Sequence, residues 1–213
     1  RLKKGNVKAA PIKNIPLQLP FNSKAFTPEN FGYTVSFDKK GNSFAAELIG
    51  DKVTCDNITF SIADHENKNV IKCKGDTIQL PKEAAGKKLY ILAASTDKDR
   101  KSTFLVNGKS HEFEIPYYSG FYGQWGHKGV SDGYIRNASL AYIGSHRHTE
   151  KGNDTYIYTY MYKLGIELPQ EAHTLVLPKD ENIAVFAITL SDNYIDDIST
   201  ANEMRTLPLE VSK

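Results

Sequence analysis

Cysteine, methionine and tryptophan are all scarce, at two, two and one in 213 residues. The two cysteines, Cys55 and Cys73, do not make a CxxC pair, which excludes the common zinc-ribbon and thiol-redox patterns. They could join if their strands are neighbours. A thiol packs like a small hydrophobe, so two buried thiols are the expected state. No run of ~18 apolar residues exists, so no segment is expected to span a membrane as a helix. Charge of one sign is lacking as well, with 27 Lys and Arg set against 25 Asp and Glu, a net of +2. The only basic cluster, Arg1-Leu2-Lys3-Lys4, falls short of the concentrated patch that nucleic acid requires. Neither nucleic acid nor a membrane is therefore an expected partner. Nucleophile elbow, phosphate loop, HExxH and dinucleotide fingerprint are all missing. Two carboxylates could still converge in space for glycoside hydrolysis, but no Asp/Glu pair is singled out.

What is present speaks for strands. Twelve Tyr and ten Phe are available, and aromatic rings pack well on a pleated surface. Tyr33, Val35 and Phe37 alternate with polar residues, and so do Ile58, Phe60 and Ile62, the period of a half-buried strand. Asp38 to Asn42 reads as a turn. Val70–Cys73 and Thr77–Leu80 flank Lys74-Gly75-Asp76, a hairpin signal. Thr103–Val106 and His111–Ile115 flank Asn107-Gly108, the strongest hairpin signal in the chain. Lys88–Ala94 and Ile183–Leu190 are apolar on both faces and predict central strands, with Leu92 and Phe186 fully buried.

Leu140–Ile143 opens a strand that runs on through His148. Thr155–Leu168 is one long alternation, with Tyr156, Tyr158, Tyr160, Tyr162, Leu164, Ile166 and Leu168 expected on one face and a bulge near Gly165. The opening to about Ser23 is proline-spaced, an extended linker or an edge strand. Asp196–Met204 is the one candidate short helix. The pattern predicts an all-β chain, a jelly-roll-like antiparallel sandwich. Its expected division is 1–25 as linker or edge strand, 26–191 as the sandwich and 192–213 as a C-terminal tail.

Two clusters are polar and aromatic enough to form a functional surface. Tyr117 to His127 contains the only Trp, with three glycines. Tyr122, Gln124, Trp125 and His127 offer rings and donors that suit either sugar or a neighbouring domain. In Ser145-His146-Arg147-His148-Thr149-Glu150, the two histidines point to one side of a strand. Such spacing can chelate a metal if Glu150 supplies a third ligand. HxH alone is weak, however, and a polar strand end facing a ligand or partner domain is the preferred reading. Arg147 points the other way and should pair with a carboxylate. The expected surface brings Trp125 and Gln124 close to His146 and His148, with no metal and no catalytic residue in this chain.

The stretch Tyr142-Ile143-Gly144-Ser145-His146-Arg147-His148-Thr149, the Tyr-rich strand after it and Ile166-Glu167-Leu168-Pro169 resemble the C-terminal β region of bacterial alpha-mannosidase-like proteins of glycoside hydrolase family 38. Gly120-Phe121-Tyr122-Gly123-Gln124-Trp125 is similar to the segment preceding it there. Phe37 to Leu48, Val70 to Gly75 and Leu89 to Ala94 look like parts of a galactose-binding-like jelly roll. The resemblance covers roughly Ile15 to Leu190. It implies a non-catalytic accessory domain of an extracellular or periplasmic hydrolase, whose zinc and nucleophile belong to a separate N-terminal domain. The implied partners are that catalytic domain and carbohydrate. An independent carbohydrate-binding module is the alternative.

Overall fold

The computed structural model describes residues 12–29, 35–120, 123–124, 134–135 and 138–192, with 123–124 and 134–135 as backbone. Sixteen strands are found in them: β1 (Asn14–Pro16), β2 (Phe26–Thr27), β3 (Ser43–Ala45), β4 (Lys52–Cys55), β5 (Ile58–Ser61), β6 (Ile71–Lys72), β7 (Thr77–Gln79), β8 (Lys88–Ser95), β9 (Arg100–Val106), β10 (Lys109–Ile115), β11 (Gly123–Gln124), β12 (Tyr134–Ile135), β13 (Ser139–Thr149), β14 (Gly152–Glu167), β15 (Thr174–Val176) and β16 (Ile183–Ser191). The expected all-β sandwich is what forms. One sheet has eight strands in the order β1-β16-β8-β14-β13-β3-β2, with β6 also on β16. A four-stranded sheet, β10-β9-β15-β7, makes the second layer, and the β4–β5 hairpin is separate from both.

The large sheet is covered on each face, and this explains the two strands that are apolar throughout. Every residue of β8 and of β16 is buried. Leu89, Ile91 and Ala93 enter one core with Phe104, Val106 and Leu175 of the small sheet. Tyr90, Leu92 and Ala94 enter the other, beneath Val53, Ile58 and Phe60 of the hairpin. Leu92 and Phe186 are both 0% exposed, as expected. Phe186 sits at a register shift between Val185 and Ala187. The extra residue lets Ala184, Phe186 and Ala187 all feed the hairpin-side core.

Local chemistry sets the turns. Asn107 and Gly108 have φ of 48° and 81°, so the predicted β9–β10 hairpin closes on a turn of the I′ kind. Asp56 and Asn57 repeat that geometry between β4 and β5, at φ of 51° and 63°. At the Asp38–Asn42 turn, the Asp38 carboxylate accepts from the amides of Lys40 and Asn42 and from the phenol of Tyr118.

Several sequence expectations are corrected. Val35 to Phe37 is not a strand, and Tyr33 and Thr34 lie outside the described residues. Phe37 folds back instead, its amide donating to the carbonyls of Val35 and Asn42. Lys74-Gly75-Asp76 does not close a hairpin: β6 pairs with β16, and β7 with β15 in the other sheet. The glycine turn serves a crossing between layers, which a local pattern cannot tell from a hairpin.

The long tyrosine alternation does not keep one face. Tyr160 and Tyr162 join the hairpin-side core, whereas Leu164, Ile166 and Leu168 join the other. The β13–β14 ladder is irregular at two places, neither of them at Gly165: Ala141 is the extra residue between the pairs Leu140–Tyr162 and Tyr142–Met161, and Ser145 alone faces Tyr156 to Tyr158, between the pairs Gly144–Thr159 and His146–Thr155.

The opening segment supplies an edge strand. β1 pairs antiparallel with β16, and Ile15, Leu17, Leu19 and Phe21 pack on the small-sheet core. Cys73 is buried in that core, while Cys55 ends β4 on the opposite side of the sheet. Both are thiols, Cys55 being half-buried, and burial pushes the Cys73 thiol well above its usual range. Asp196–Met204 lies outside the described residues.

Candidate functional site

The site grows from the pairing of a short strand with a long one. β3 pairs with β13 through Phe44–Arg147 and Ser43–His148. The chain then leaves β3 in a single 3-10 turn, Ala46–Leu48. That turn carries Glu47 back across β13. Alternation puts His146 and His148 on one face of β13, and both reach the same carboxylate oxygen. His146 Nε2 lies 3.0 Å and His148 Nε2 2.9 Å from Glu47 Oε1. The imidazole centroids are 5.4 Å apart and inclined by 31°. His148 is nearly buried, at 4% side-chain exposure, against 15% for His146 and 30% for Glu47. One ligand atom from each of the three lies within 4.8 Å of the others, so among the described residues these three could hold a metal.

Arg147 faces away, as expected. Its Nε and Nη2 both donate to Asp154 Oδ2, at 2.9 and 2.7 Å. Glu150 does not join the histidines. β13 ends at Thr149 and Glu150 lies in the turn that follows. Its carboxylate rests against the Gly41 turn. A strand ending one residue earlier than the chelation pattern needs is the reason. Tyr122, Trp125 and His127 lie outside the described residues, and of Gln124 only the backbone in β11 is described.

Glu47 is the residue that sequence reasoning missed. It stands 99 and 101 positions from its two partners. Only the β3–β13 pairing brings it there.

Gly144 shapes the same face. An added Cβ would lie 2.5 Å from Thr159 Oγ1 and 2.9 Å from the Tyr142 hydroxyl. Both oxygens are buried and find no hydrogen-bond partner among the described residues. Burial first, and the charge of Glu47 second, push the Tyr142 phenol well above its usual range. Tyr142 thus leans over Gly144 toward the histidine cluster. Gly144→Ala should destabilise the fold by about 1–3 kcal/mol through overpacking. A urea titration that left stability unchanged would refute this close approach.

On its other side Glu47 borders an open groove of about 670 Å³. Glu29, Glu47, Asp51, Asp64 and Glu66 line it, with no Lys or Arg among the lining residues. Further along β13 and β14, two large apolar side chains face water. Ile143 is 56% and Tyr156 78% exposed. Tyr156 holds φ of 66°, a left-handed conformation that costs a bulky residue of the order of 1–2 kcal/mol.

A family model described as the AziU2-like beta-sandwich domain matches residues 13–194. The match takes in every strand from β1 to β16. No curated protein matches the chain.

Proposed function

Given that the chain belongs to the AziU2-like β-sandwich family, we propose that it is a non-catalytic binding module of a larger secreted hydrolase. The observation that carries this reading is Tyr156. A large ring is held out to solvent on strained backbone at a bulge, and strain of this kind clusters where a surface is used. Ile143, likewise exposed, lies on β13 of the same ribbon. Exposed apolar area within a polar surround suits docking. The resemblance to the C-terminal region of alpha-mannosidase-like hydrolases supports a family 38 catalytic domain as the docking partner. Carbohydrate would then be a second contact, with the tyrosine face stacking on a sugar ring.

Two measurements test the proposal. The purified chain should not hydrolyse aryl alpha-mannosides, with or without added zinc. Turnover that is lost on mutating residues of this chain would overturn the module reading. Tyr156→Ala should leave the melting temperature nearly unchanged, since the ring is 78% exposed and alanine keeps the same Cβ. It should also weaken binding, to the separately purified catalytic domain or to mannose oligosaccharides, by about tenfold, the loss of one aromatic anchor. Unaltered binding to both would remove the bulge from the site.

A further inference from the structure

We infer that Glu47, His146 and His148 form a binding site for a divalent transition-metal ion of the zinc class, with positions left over for water or a small oxygen ligand. Three features carry this beyond ordinary hydrogen bonding. First, the donors converge on one point. Both Nε2 atoms face a single carboxylate oxygen, at 2.9 and 3.0 Å. Ligands held tetrahedrally at zinc's usual ~2.0–2.1 Å stand about 3.3 Å apart. The two histidine–carboxylate contacts therefore need to lengthen by only a few tenths of an ångström to admit an ion, and the three ligand atoms already lie within 4.8 Å of one another. Imidazole and carboxylate together suit Zn²⁺ and its first-row neighbours rather than Mg²⁺ or Ca²⁺.

Second, the support around the donors is in place. The His146 Nδ1 lies 3.3 Å from Ser145 Oγ. In the tautomer that donates this contact, the Nε2 lone pair is free for an ion, the arrangement typical of metal-bound histidine. His148 is fixed by its buried position on β13, next to the β3 pairing. Glu47 is fixed by the 3-10 turn.

Third, a buried hydroxyl, that of Tyr142, finds no hydrogen-bond partner among the described residues and lies close by, above Gly144. It is placed to accept from, or donate to, a ligand carried by the ion. The acidic groove on the far side of Glu47 draws cations toward the site. With three protein ligands and an open position, the centre has the composition of a ligand-binding metal site rather than a closed structural one.

The test uses the purified chain, stripped with a chelator and titrated with Zn²⁺ in competition with a chromophoric chelator. One ion should bind per chain, with micromolar or tighter affinity. Cobalt should give the visible d–d bands of a four- or five-coordinate centre. His146→Ala and Glu47→Gln should each weaken binding by about 100-fold or more, at or beyond the loss seen for outer-shell partners. Glu47→Gln preserves shape and a hydrogen-bond acceptor, and circular dichroism on both variants separates lost ligation from lost folding. The inference is overturned if the folded chain binds no zinc. It is equally overturned if folded Glu47→Gln and His146→Ala bind zinc as the parent does, since the ion would then sit elsewhere.

Discussion

Phe186→Ala should cost about 3–5 kcal/mol, a large share of the ~5–15 kcal/mol that holds a domain together. The ring is wholly buried and touches Phe26, Phe37 and Phe44, with centroids at 6.0, 5.8 and 5.3 Å. These partners come from three separate segments that close one end of the hairpin-side core. None of them can collapse into the space left by the ring without breaking its own contacts, so a cavity persists. Urea unfolding would measure the loss as a lower midpoint with an unchanged slope. A loss below about 1 kcal/mol would mean that the core repacks around the bulge.

The second large effect belongs to Lys163. Its side chain is 2% exposed, and its ammonium lies 2.6 Å from Asp56 at the tip of the β4–β5 hairpin. The ammonium also lies 5.5 Å from the centre of the Tyr90 ring. Asp56 thereby pins the hairpin to β14 across the core it covers. Asp56→Asn keeps the size and suits the positive φ, so it isolates the charge. It should cost about 3 kcal/mol, because it deprives a buried cation of its countercharge. Lys163→Met, which removes the buried charge itself, should cost markedly less. Equal losses in the two variants would show that packing and not charge fixes the hairpin.

The pH dependence follows from the same pair. The hydrogen bond from Lys163 holds the Asp56 carboxyl below its usual range, against the opposing effect of burial. A carboxyl depressed in the folded state adds stability above its unfolded pKa of about 3.9, and that share is lost as pH falls through the folded value. Asp97 behaves likewise, held to about 2 by the Arg100 guanidinium. Acid should therefore weaken the fold from about pH 4 downward. In Asp56→Asn the slope of stability against pH in that window should be shallower.

The parts of the fold that could be read from sequence are those set by local pattern. β8 and β16 announce themselves through apolar residues on both faces, and the β9–β10 turn through Asn107-Gly108. The β4–β5 hairpin has no such signal, because Asp56-Asn57 reaches the same backbone geometry without a glycine. The irregularity at Ser145 is not legible in the sequence, because register belongs to a pair of strands and alternation along β14 alone is blind to it. Lys74–Asp76 looks like a hairpin for a similar reason, since its flanking strands find partners far along the chain. At the candidate site the histidines and the outward Arg147 followed from period-two geometry. Glu47 did not, because its place depends on where β3 lands and how the next turn swings.

The antiparallel pairing of β1 with β16 has a consequence for how the chain acquires its shape. Asn14 meets Ser191, and β8 finds its two neighbours only in β14 and β16. On the ribosome, a strand apolar on both faces must therefore wait, without either lateral partner, until nearly the whole domain has been synthesised. Long-range pairing of this kind is slow to nucleate, and an orphaned apolar strand invites association between chains. Nascent chains ending before residue 183 should collect in the insoluble fraction or on holding chaperones. Release of the last strand converts them to the native sheet in a single late step.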